Sequence, residues 1–315
     1  MTRTDFAARW AAALGTGRWQ SKAPLAGLTT FKVGGAAEWL ADLISEDELC
    51  ALVVDALAAG VPVTMLGGGS NVLVADSGVP GVVVRLRFTG ISEPEASVVR
   101  AGAGVTVNGL VRWTIGRGLA GLEAWAGTPG TIGGAIYGNA HWGGENIGDH
   151  VREVRLVTRD GLIHDVPVDA MAFGYDTSRI QRTREVVVSA SFNVTSGDVV
   201  ALRERARASL QYRKVTQPLA SPSAGCIFQN PLPTDRVPEG IPLSAGALVD
   251  RAGLKGIGLG GARISDQHAN FIVNDGGATA DDIRTLIERA RTAVREGFGV
   301  ELRDEIVYLG TFRHG

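Results

Sequence analysis

Cysteine is scarce in this chain: Cys50 and Cys226 are the only two among 315 residues, far too few for a disulfide framework. Basic residues are not in excess, because 31 Lys and Arg against 33 Asp and Glu leave a formal net charge of -2. No basic surface for nucleic acid is therefore expected. Apolar runs stay well short of the ~20 residues that a membrane helix needs. We expect a cytoplasmic protein without a nucleic-acid or membrane partner.

Glycine, by contrast, is concentrated in two stretches rich in hydroxyl and amide side chains. The first is Leu66-Gly-Gly-Gly-Ser-Asn-Val-Leu-Val74, and the second is Ala126-Gly-Thr-Pro-Gly-Thr-Ile-Gly-Gly-Ala-Ile-Tyr-Gly-Asn-Ala140. Neither contains the Gly-Lys-Ser/Thr ending of a P-loop. Val72 occupies the third glycine position of a Rossmann turn, so the first stretch does not fit that type of dinucleotide site either.

The composition of these stretches suits the binding of a pyrophosphate. Backbone without a Cβ can lie close to a ligand and point consecutive N–H groups at phosphate oxygens. One such stretch alone would be explained as a tight connection between two elements. Two of them, both rich in Ser, Thr or Asn, indicate a large bound dinucleotide.

The chain is longer than one hydrophobic core usually organises, which predicts two or three domains. We place the main domain boundary near residue 200, because the composition changes there. A charged helix follows, and after it comes a Pro-rich stretch from Pro218 to Pro242. Residues 1–200 are expected to form one domain of two subdomains, split near residues 65–80. Residues 201–315 are expected to form a second domain that closes with a strand.

The spacing of apolar residues predicts that the chain contains both α-helices and β-strands. Ser45 starts a helix that ends near Gly60, and Thr279 starts a long helix over residues 280–296. Asp160-Gly161 between two apolar runs predicts a hairpin. A closing strand is expected over residues 300–309.

A further segment, Tyr212 to Pro231, has the composition of a ligand loop. Small residues surround Cys226, Arg213 and Lys214 offer positive charge, and Asn230 offers an amide that can donate and accept hydrogen bonds. The histidines show no metal-ligand spacing, so no metal site is expected.

The order of the motifs resembles the UDP-N-acetylenolpyruvoylglucosamine reductase family, in particular its shorter class. The matching segments span Leu25 to Leu309, and they are Thr30-Phe-Lys-Val-Gly-Gly35, Leu66-Gly-Gly-Gly-Ser-Asn71, Gly127-Thr-Pro-Gly-Thr-Ile-Gly-Gly134, Ser223-Ala-Gly-Cys-Ile-Phe-Gln-Asn-Pro231, Ala252-Gly-Leu-Lys-Gly256, His268-Ala-Asn-Phe-Ile-Val-Asn274 and Leu302-Arg-Asp-Glu-Ile306. So many motifs in one order make coincidence improbable.

This resemblance implies an α+β protein. An FAD-binding domain of the vanillyl-alcohol-oxidase type, itself of two α/β subdomains, would precede a smaller α+β substrate-binding domain. It also implies noncovalent FAD, NADPH as co-substrate, and reduction of the enolpyruvyl ether on UDP-N-acetylglucosamine to UDP-N-acetylmuramate for peptidoglycan synthesis. We expect the protein to act as a monomer on this UDP-sugar.

The resemblance also assigns roles to residues of this chain. The FAD pyrophosphate would be held by the two glycine stretches, at Gly67, Gly68, Gly69, Ser70, Asn71, Gly130, Thr131, Ile132, Gly133 and Gly134. The substrate would be held by Tyr175, Arg213, Lys214, Gln217 and Asn230. Glu305 matches a C-terminal glutamate that acts near the substrate carboxylate.

Two positions depart from the family pattern. Cys226 stands where the family has a serine proton donor; since a thiol has an ordinary pKa of about 8.5, it is mostly protonated near neutrality and can serve as the acid. Asp176 stands where the family has an arginine after the tyrosine, and an aspartate cannot act as a cation. We therefore expect Arg179, and less readily Arg182, to contact the enolpyruvyl carboxylate.

Two other functions are compatible with the same motifs. The chain could be an FAD-dependent sugar or alcohol oxidase, which would form peroxide from O₂. The two altered positions are also compatible with a catalytically inactive flavin-binding protein, which would retain FAD without being reduced by NADPH.

Overall fold

The computed structural model describes residues 1–312. Within them the α-helices are α1 (Arg3–Arg18), α2 (Glu46–Ala58), α3 (Val107–Gly116), α4 (Ile132–Tyr137), α5 (Ile180–Thr183), α6 (Val199–Thr216), α7 (Ala245–Arg251) and α8 (Ala280–Phe298). Short 3-10 turns lie at Ala26–Leu28, Glu123–Trp125, Ile147–His150 and Val168–Met171. None of the described helices is both long and apolar enough to cross a membrane.

The described chain also contains strands, several of them consecutive between two helices, which gives the mixed α and β content that the apolar pattern predicts. They are β1 (Trp19–Pro24), β2 (Ala36–Leu43), β3 (Val63–Met65), β4 (Val72–Val74), β5 (Val79–Leu86), β6 (Ile91–Glu95), β7 (Val98–Gly102), β8 (Leu119–Ala120), β9 (His141–Trp142), β10 (Glu145–Asn146), β11 (Val151–Val157), β12 (Ile163–Pro167), β13 (Val186–Asn193), β14 (Thr195–Ser196), β15 (Gly258–Leu259), β16 (Ala262–Ile264), β17 (Ile272–Asn274) and β18 (Val307–Leu309).

The chain divides into two compact units. The first unit comprises Met1–Ala23, Ala37–Gly68 and Pro80–Tyr212. The second unit comprises Pro24–Ala36, Gly69–Val79 and Arg213–Gly315. The second unit thus takes two short segments from the N-terminal third of the sequence. The assignment of cofactor and substrate binding to residues 1–200 and 201–315 stays a prediction.

The first unit holds two hydrophobic cores. One is drawn from α1, α2 and the sheet ordered β1-β2-β5-β3, and it includes the fully buried Phe6 and Leu49. Helix α2 begins at the predicted place because the Ser45 side chain accepts a hydrogen bond from the Glu48 amide, satisfying an otherwise unpaired donor. Leu49, Leu52, Val53 and Ala56 then line its buried face.

The other core of the first unit lies on the sheet ordered β12-β11-β13-β7-β6, whose neighbouring strands are antiparallel. Strands β11 and β12 form the hairpin that Asp160-Gly161 predicts. Helices α3 and α4 pack on this sheet, and Trp125 and Phe192 are fully buried in the core. The packing of α4 on β13 and β7 therefore also positions the loop that precedes this helix.

The second unit is built around α8 and the small antiparallel sheet β15-β16-β17. Thr279 caps α8 as predicted, and the carboxylate of Asp76 accepts hydrogen bonds of 3.0 Å from the amides of Ala280 and Asp281. An anionic side chain at a helix N-terminus is stabilising. Ile283, Leu286, Ile287, Ala290 and Val294 form the buried stripe of α8.

The closing strand is shorter than predicted. Only Val307–Leu309 forms a strand, which pairs in parallel with β4. The expectation of a strand over all of residues 300–309 was wrong because Asp304 instead makes an isolated bridge with Phe228. This local departure places Glu305 beside the Cys226 segment.

Candidate functional site

The two glycine stretches meet in the first unit. A Cβ added to Gly67 would lie 2.5 Å from the Thr131 hydroxyl oxygen, and one added to Gly68 would lie 2.7 Å from the Gly130 Cα. Because real Cβ atoms do not approach other atoms so closely, no other residue fits these positions without displacing the opposite stretch. Bare backbone of two loops is thereby brought together, as a pyrophosphate cradle requires.

The second stretch is anchored by its own backbone hydrogen bonds. The amide of Ile132 donates to the Val105 carbonyl at 2.8 Å, and that of Gly133 donates to the Ala103 carbonyl at 2.9 Å. These two amides fix the loop to the chain beyond β7. Both amides are already engaged in these hydrogen bonds. We therefore expect the other predicted positions of this stretch, and not these two, to contact a cofactor phosphate through their amides.

The rest of the first stretch lies in the second unit. The Gly69 carbonyl accepts hydrogen bonds from the amide and the hydroxyl of Thr30. The Asn71 side chain donates to the Glu305 carbonyl at 3.1 Å, and the Val307 amide donates to the Asn71 carbonyl at 3.0 Å. Asn71 therefore positions the backbone that carries Glu305, a connection across 234 residues that no local pattern reveals.

Cys226 and Glu305 lie on neighbouring segments of the second unit. The Glu305 amide donates to the Ile227 carbonyl at 2.8 Å, and the Gln229 amide donates to the Arg303 carbonyl at the same distance. Both Cys226 and Glu305 are half-buried. The structure thus places two residues predicted to be catalytic on adjacent segments, and their catalytic roles stay predictions.

Asn270 holds the Cys226 segment from its other side. Its side-chain oxygen accepts a 2.9 Å hydrogen bond from the Phe228 amide, and its side-chain nitrogen donates at 2.7 Å to the Phe228 carbonyl. Its own carbonyl accepts from the Ile227 amide. Asn270 is 3% exposed, so this clamp is well protected. Sequence reasoning missed it, although the residue lies within the quoted His268 to Asn274 motif.

Arg213 is a buried cation that interacts with Cys226. It is 5% exposed, and burial lowers its pKa to about 10 while the interaction with Cys226 opposes that change. A guanidinium stays charged at neutral pH. A positive charge near a thiol favours the thiolate that remains after the thiol loses its proton.

Two predicted substrate residues line a cavity of about 430 Å³ in the second unit. They are the exposed Lys214 and the half-buried Gln217. Arg263, Ser265 and Gln267 also line this cavity. Asn230, by contrast, uses its side-chain oxygen to accept a 3.1 Å hydrogen bond from the Ala245 amide at the start of α7, so its contact with substrate stays a prediction.

Arg179 is held in an ion pair within the first unit. Its guanidinium donates to both carboxylate oxygens of Glu185, at 2.9 and 3.1 Å, and to the Ala170 carbonyl. Burial opposes ionisation of Glu185, but hydrogen bonds from Thr183, Arg179 and His164 outweigh it and lower the pKa of this carboxyl. A contact between Arg179 and the substrate carboxylate would require this pair to break, and it stays a prediction.

The Arg179–Glu185 pair leads to a prediction about stability. Arg179→Met should lower the free energy of unfolding by about 2–4 kcal/mol, because it leaves a buried carboxylate without its main partner. Arg182→Met removes an exposed arginine of α5, the helix for which Arg179 is the N-cap residue, and is the matched control, with an expected change within about 0.5 kcal/mol. Urea denaturation measures both. Equal stability of the two variants would contradict the structural role given to Arg179.

Tyr175, the remaining predicted substrate residue, is exposed in the first unit. Its ring centroid lies 5.1 Å from that of His141. His141 in turn approaches Asp176, the residue that stands at the family's arginine position. The fold thus places a histidine beside this tyrosine, a contact that no local sequence pattern indicates.

Comparisons with known proteins agree with this arrangement. A family model for an FAD binding domain matches residues 40–167, and one for the C-terminal domain of UDP-N-acetylenolpyruvoylglucosamine reductase matches residues 217–309. The reductase of Heliobacterium modesticaldum is 38% identical over 93% of this chain and 91% of its own length. The reductase of Bacillus subtilis is 38% identical over 91% and 92%.

A solved structure gives the same result. The crystal structure of UDP-N-acetylenolpyruvylglucosamine reductase from Thermus caldophilus superposes with a TM-score of 0.76 at 33% identity, covering 93% of this chain and 98% of that one. The predicted fold class, an FAD-binding domain followed by a smaller mixed domain, is thereby confirmed.

Proposed function

The chain belongs to the UDP-N-acetylenolpyruvoylglucosamine reductase family, and from this premise we propose that it reduces the enolpyruvyl ether on UDP-N-acetylglucosamine to give UDP-N-acetylmuramate. The observation that carries the proposal is 38% identity over more than nine-tenths of both chains. The reaction is a step of peptidoglycan precursor synthesis. We propose a cytoplasmic location, since both substrates are soluble nucleotides, and we further propose NADPH as the electron donor and a monomer as the active form.

The residues present fit noncovalent FAD. Gly67 and Gly68 face Gly130 and Thr131 so closely that a Cβ on either glycine would collide, and this bare backbone is suited to phosphate oxygens. The same two stretches supply the rest of the proposed set, which is Gly69, Ser70, Asn71, Ile132, Gly133 and Gly134; the amides of Ile132 and Gly133 are the two already engaged in backbone hydrogen bonds. When bound, FAD supplies the redox chemistry of the reaction.

Cys226 is proposed as the proton donor. Reduction of the enolpyruvyl double bond at its methylene carbon leaves negative charge on the carbon next to the carboxylate, and that carbon must take up a proton. A positioned acid typically contributes ~10²–10⁴-fold to such a step. The backbone of the Cys226 segment is fixed by hydrogen bonds to Asn270 and Glu305, which supports the positioning of the thiol.

Arg213 and Glu305 are proposed to assist this proton transfer. The charge of Arg213 acts on Cys226 and would stabilise the thiolate formed when the proton leaves. Glu305, on the adjacent segment, is proposed to act near the substrate carboxylate. Lys214 and Gln217, on the cavity of the second unit, are proposed to bind the UDP-sugar, together with Tyr175 and Asn230.

A steady-state assay tests the proposed function. Oxidation of NADPH should depend on the enolpyruvyl UDP-sugar, and UDP-N-acetylmuramate should accumulate in equal amount. Peroxide formation from sugars without NADPH oxidation would indicate an oxidase instead. Retention of FAD without any reaction with NADPH would indicate an inactive flavin-binding protein. Either result would contradict the proposal.

A further inference from the structure

His141 and Asp176 form a hydrogen-bonded pair in the first unit. Nδ1 of His141 lies 3.0 Å from Oδ1 of Asp176. The Asp176 side chain is 9% exposed, whereas that of His141 is 34% exposed. The pair therefore consists of a buried carboxylate and an imidazole that a ligand can reach. His141 directly follows the second glycine stretch, which ends at Ala140.

The turn that carries Asp176 is held firmly in place. The backbone of Gly174 exchanges two hydrogen bonds with Thr177, and Asp176 between them has a left-handed φ of 54°, a conformation that aspartate tolerates better than most residues. The Gln181 side chain donates to the Asp176 carbonyl at 2.9 Å and also to the Tyr137 carbonyl. The carboxylate is thus aimed at His141 by several independent contacts.

The second carboxylate oxygen of Asp176 lacks a hydrogen-bond partner within the described part of the chain. Asp176 Oδ2 is buried and has no hydrogen-bond partner among residues 1–312. Leaving a buried charged oxygen without a partner costs free energy, and such groups are uncommon in folded proteins. The His141–Asp176 pair is present despite the free-energy cost of this buried oxygen, and it lies beside an exposed tyrosine. Both facts indicate a functional role rather than a contribution to stability.

The chemistry of the pair points to an anion. A carboxylate at Nδ1 fixes the orientation of an imidazole and favours its protonated form, in which Nε2 also carries a hydrogen. An imidazolium Nε2–H is a charge-assisted donor for a ligand carboxylate. Arg179, the cation expected from the sequence, is instead engaged by Glu185.

We propose that His141 binds the carboxylate of the enolpyruvyl substrate as an imidazolium, with Asp176 as its positioning residue. The proposal rests on the proposed function, because it concerns the substrate of that reaction. In this chain a histidine–aspartate pair then takes the part of the single arginine that the resemblance leads one to expect at position 176. The ring of Tyr175 lies beside the histidine ring, with 5.1 Å between their centroids.

Binding measurements on the FAD-loaded protein test this directly. His141→Gln should weaken binding of the enolpyruvyl UDP-sugar about 10- to 100-fold, the range for loss of a hydrogen bond to a charged group. Binding of UDP-N-acetylglucosamine, which lacks the carboxylate, should be unchanged. His150→Gln, which removes an imidazole elsewhere in the first unit, is the control and should change neither. Isothermal titration calorimetry measures the affinities of the unaltered protein and the two variants for both ligands.

A second variant guards against a purely structural effect. Combining His141→Gln with Asp176→Arg places a cation on the same turn and should restore most of the affinity for the enolpyruvyl substrate. Unchanged affinity in His141→Gln would overturn the proposal, as would an equal loss for both ligands. If the unaltered protein binds UDP-N-acetylglucosamine and the enolpyruvyl compound equally well and does not turn over, the proposed function itself fails, and this assignment with it.

Discussion

Replacing Cys226 by alanine is expected to slow reduction of the enolpyruvyl substrate by about 10²–10⁴-fold. The reason is the loss of the proton donor while the backbone around it stays in place, since the clamp by Asn270 and the pairing with Glu305 use main-chain atoms of residues 227–229. Rapid mixing of the reduced holoenzyme with substrate measures the step. Reduction of the enzyme by NADPH should be unaffected, because the thiol takes no part in it.

Cys226→Ser should recover most of the activity, because the resemblance implies that a serine hydroxyl can serve as the proton donor at this position. Cys50→Ala is the matched cysteine control. Burial, followed by the charges of Glu46 and Asp47, raises the pKa of the Cys50 thiol, which keeps it protonated and unreactive. Fast reaction of Cys226→Ala with substrate would remove Cys226 from the mechanism, and a similar loss of activity in Cys50→Ala would show that the loss is not specific to Cys226.

The second large effect is expected at Gly68. A methyl group there would lie 2.7 Å from the Gly130 Cα, and the obstacle is backbone that no side-chain rotation can remove. Gly68→Ala should force the two glycine stretches apart and weaken FAD binding by about 10- to 100-fold, because overpacking of this kind costs roughly 1–3 kcal/mol. Fluorescence titration of the deflavinated protein with FAD measures the affinity.

Gly17→Ala is the control for this experiment. A Cβ at Gly17 meets nothing within 4 Å, and the residue lies in α1, far along the chain from either stretch. Its FAD affinity should equal that of the unaltered protein. If Gly68→Ala also binds FAD normally while keeping its thermal stability, the two stretches do not form the cofactor site.

Elements with a strong local pattern were predictable from the sequence. Helix α8 begins after Thr279 as expected, because its cap and its apolar stripe are encoded within one continuous segment. The β11–β12 hairpin likewise follows from Asp160-Gly161 and the apolar runs beside it. The two glycine stretches were recognised by composition, and the structure adds their mutual contact.

Partners brought together by the tertiary fold were not predictable. Asn270 reaches Phe228 across 42 residues, and His141 reaches Asp176 across 35. Neither spacing corresponds to a helix or strand period, so periodicity carries no information about them. Arg179 shows the converse. The sequence predicts that this arginine replaces the cation missing at position 176, but in the fold its guanidinium forms an ion pair with Glu185.

The most direct test of the whole account is anaerobic mixing of the purified yellow protein, first with NADPH and then with the enolpyruvyl UDP-sugar. We predict that the visible flavin absorption bleaches with NADPH and returns when the sugar nucleotide is added. A colourless protein that takes up no FAD, or a flavin that the sugar nucleotide does not reoxidise, would contradict it.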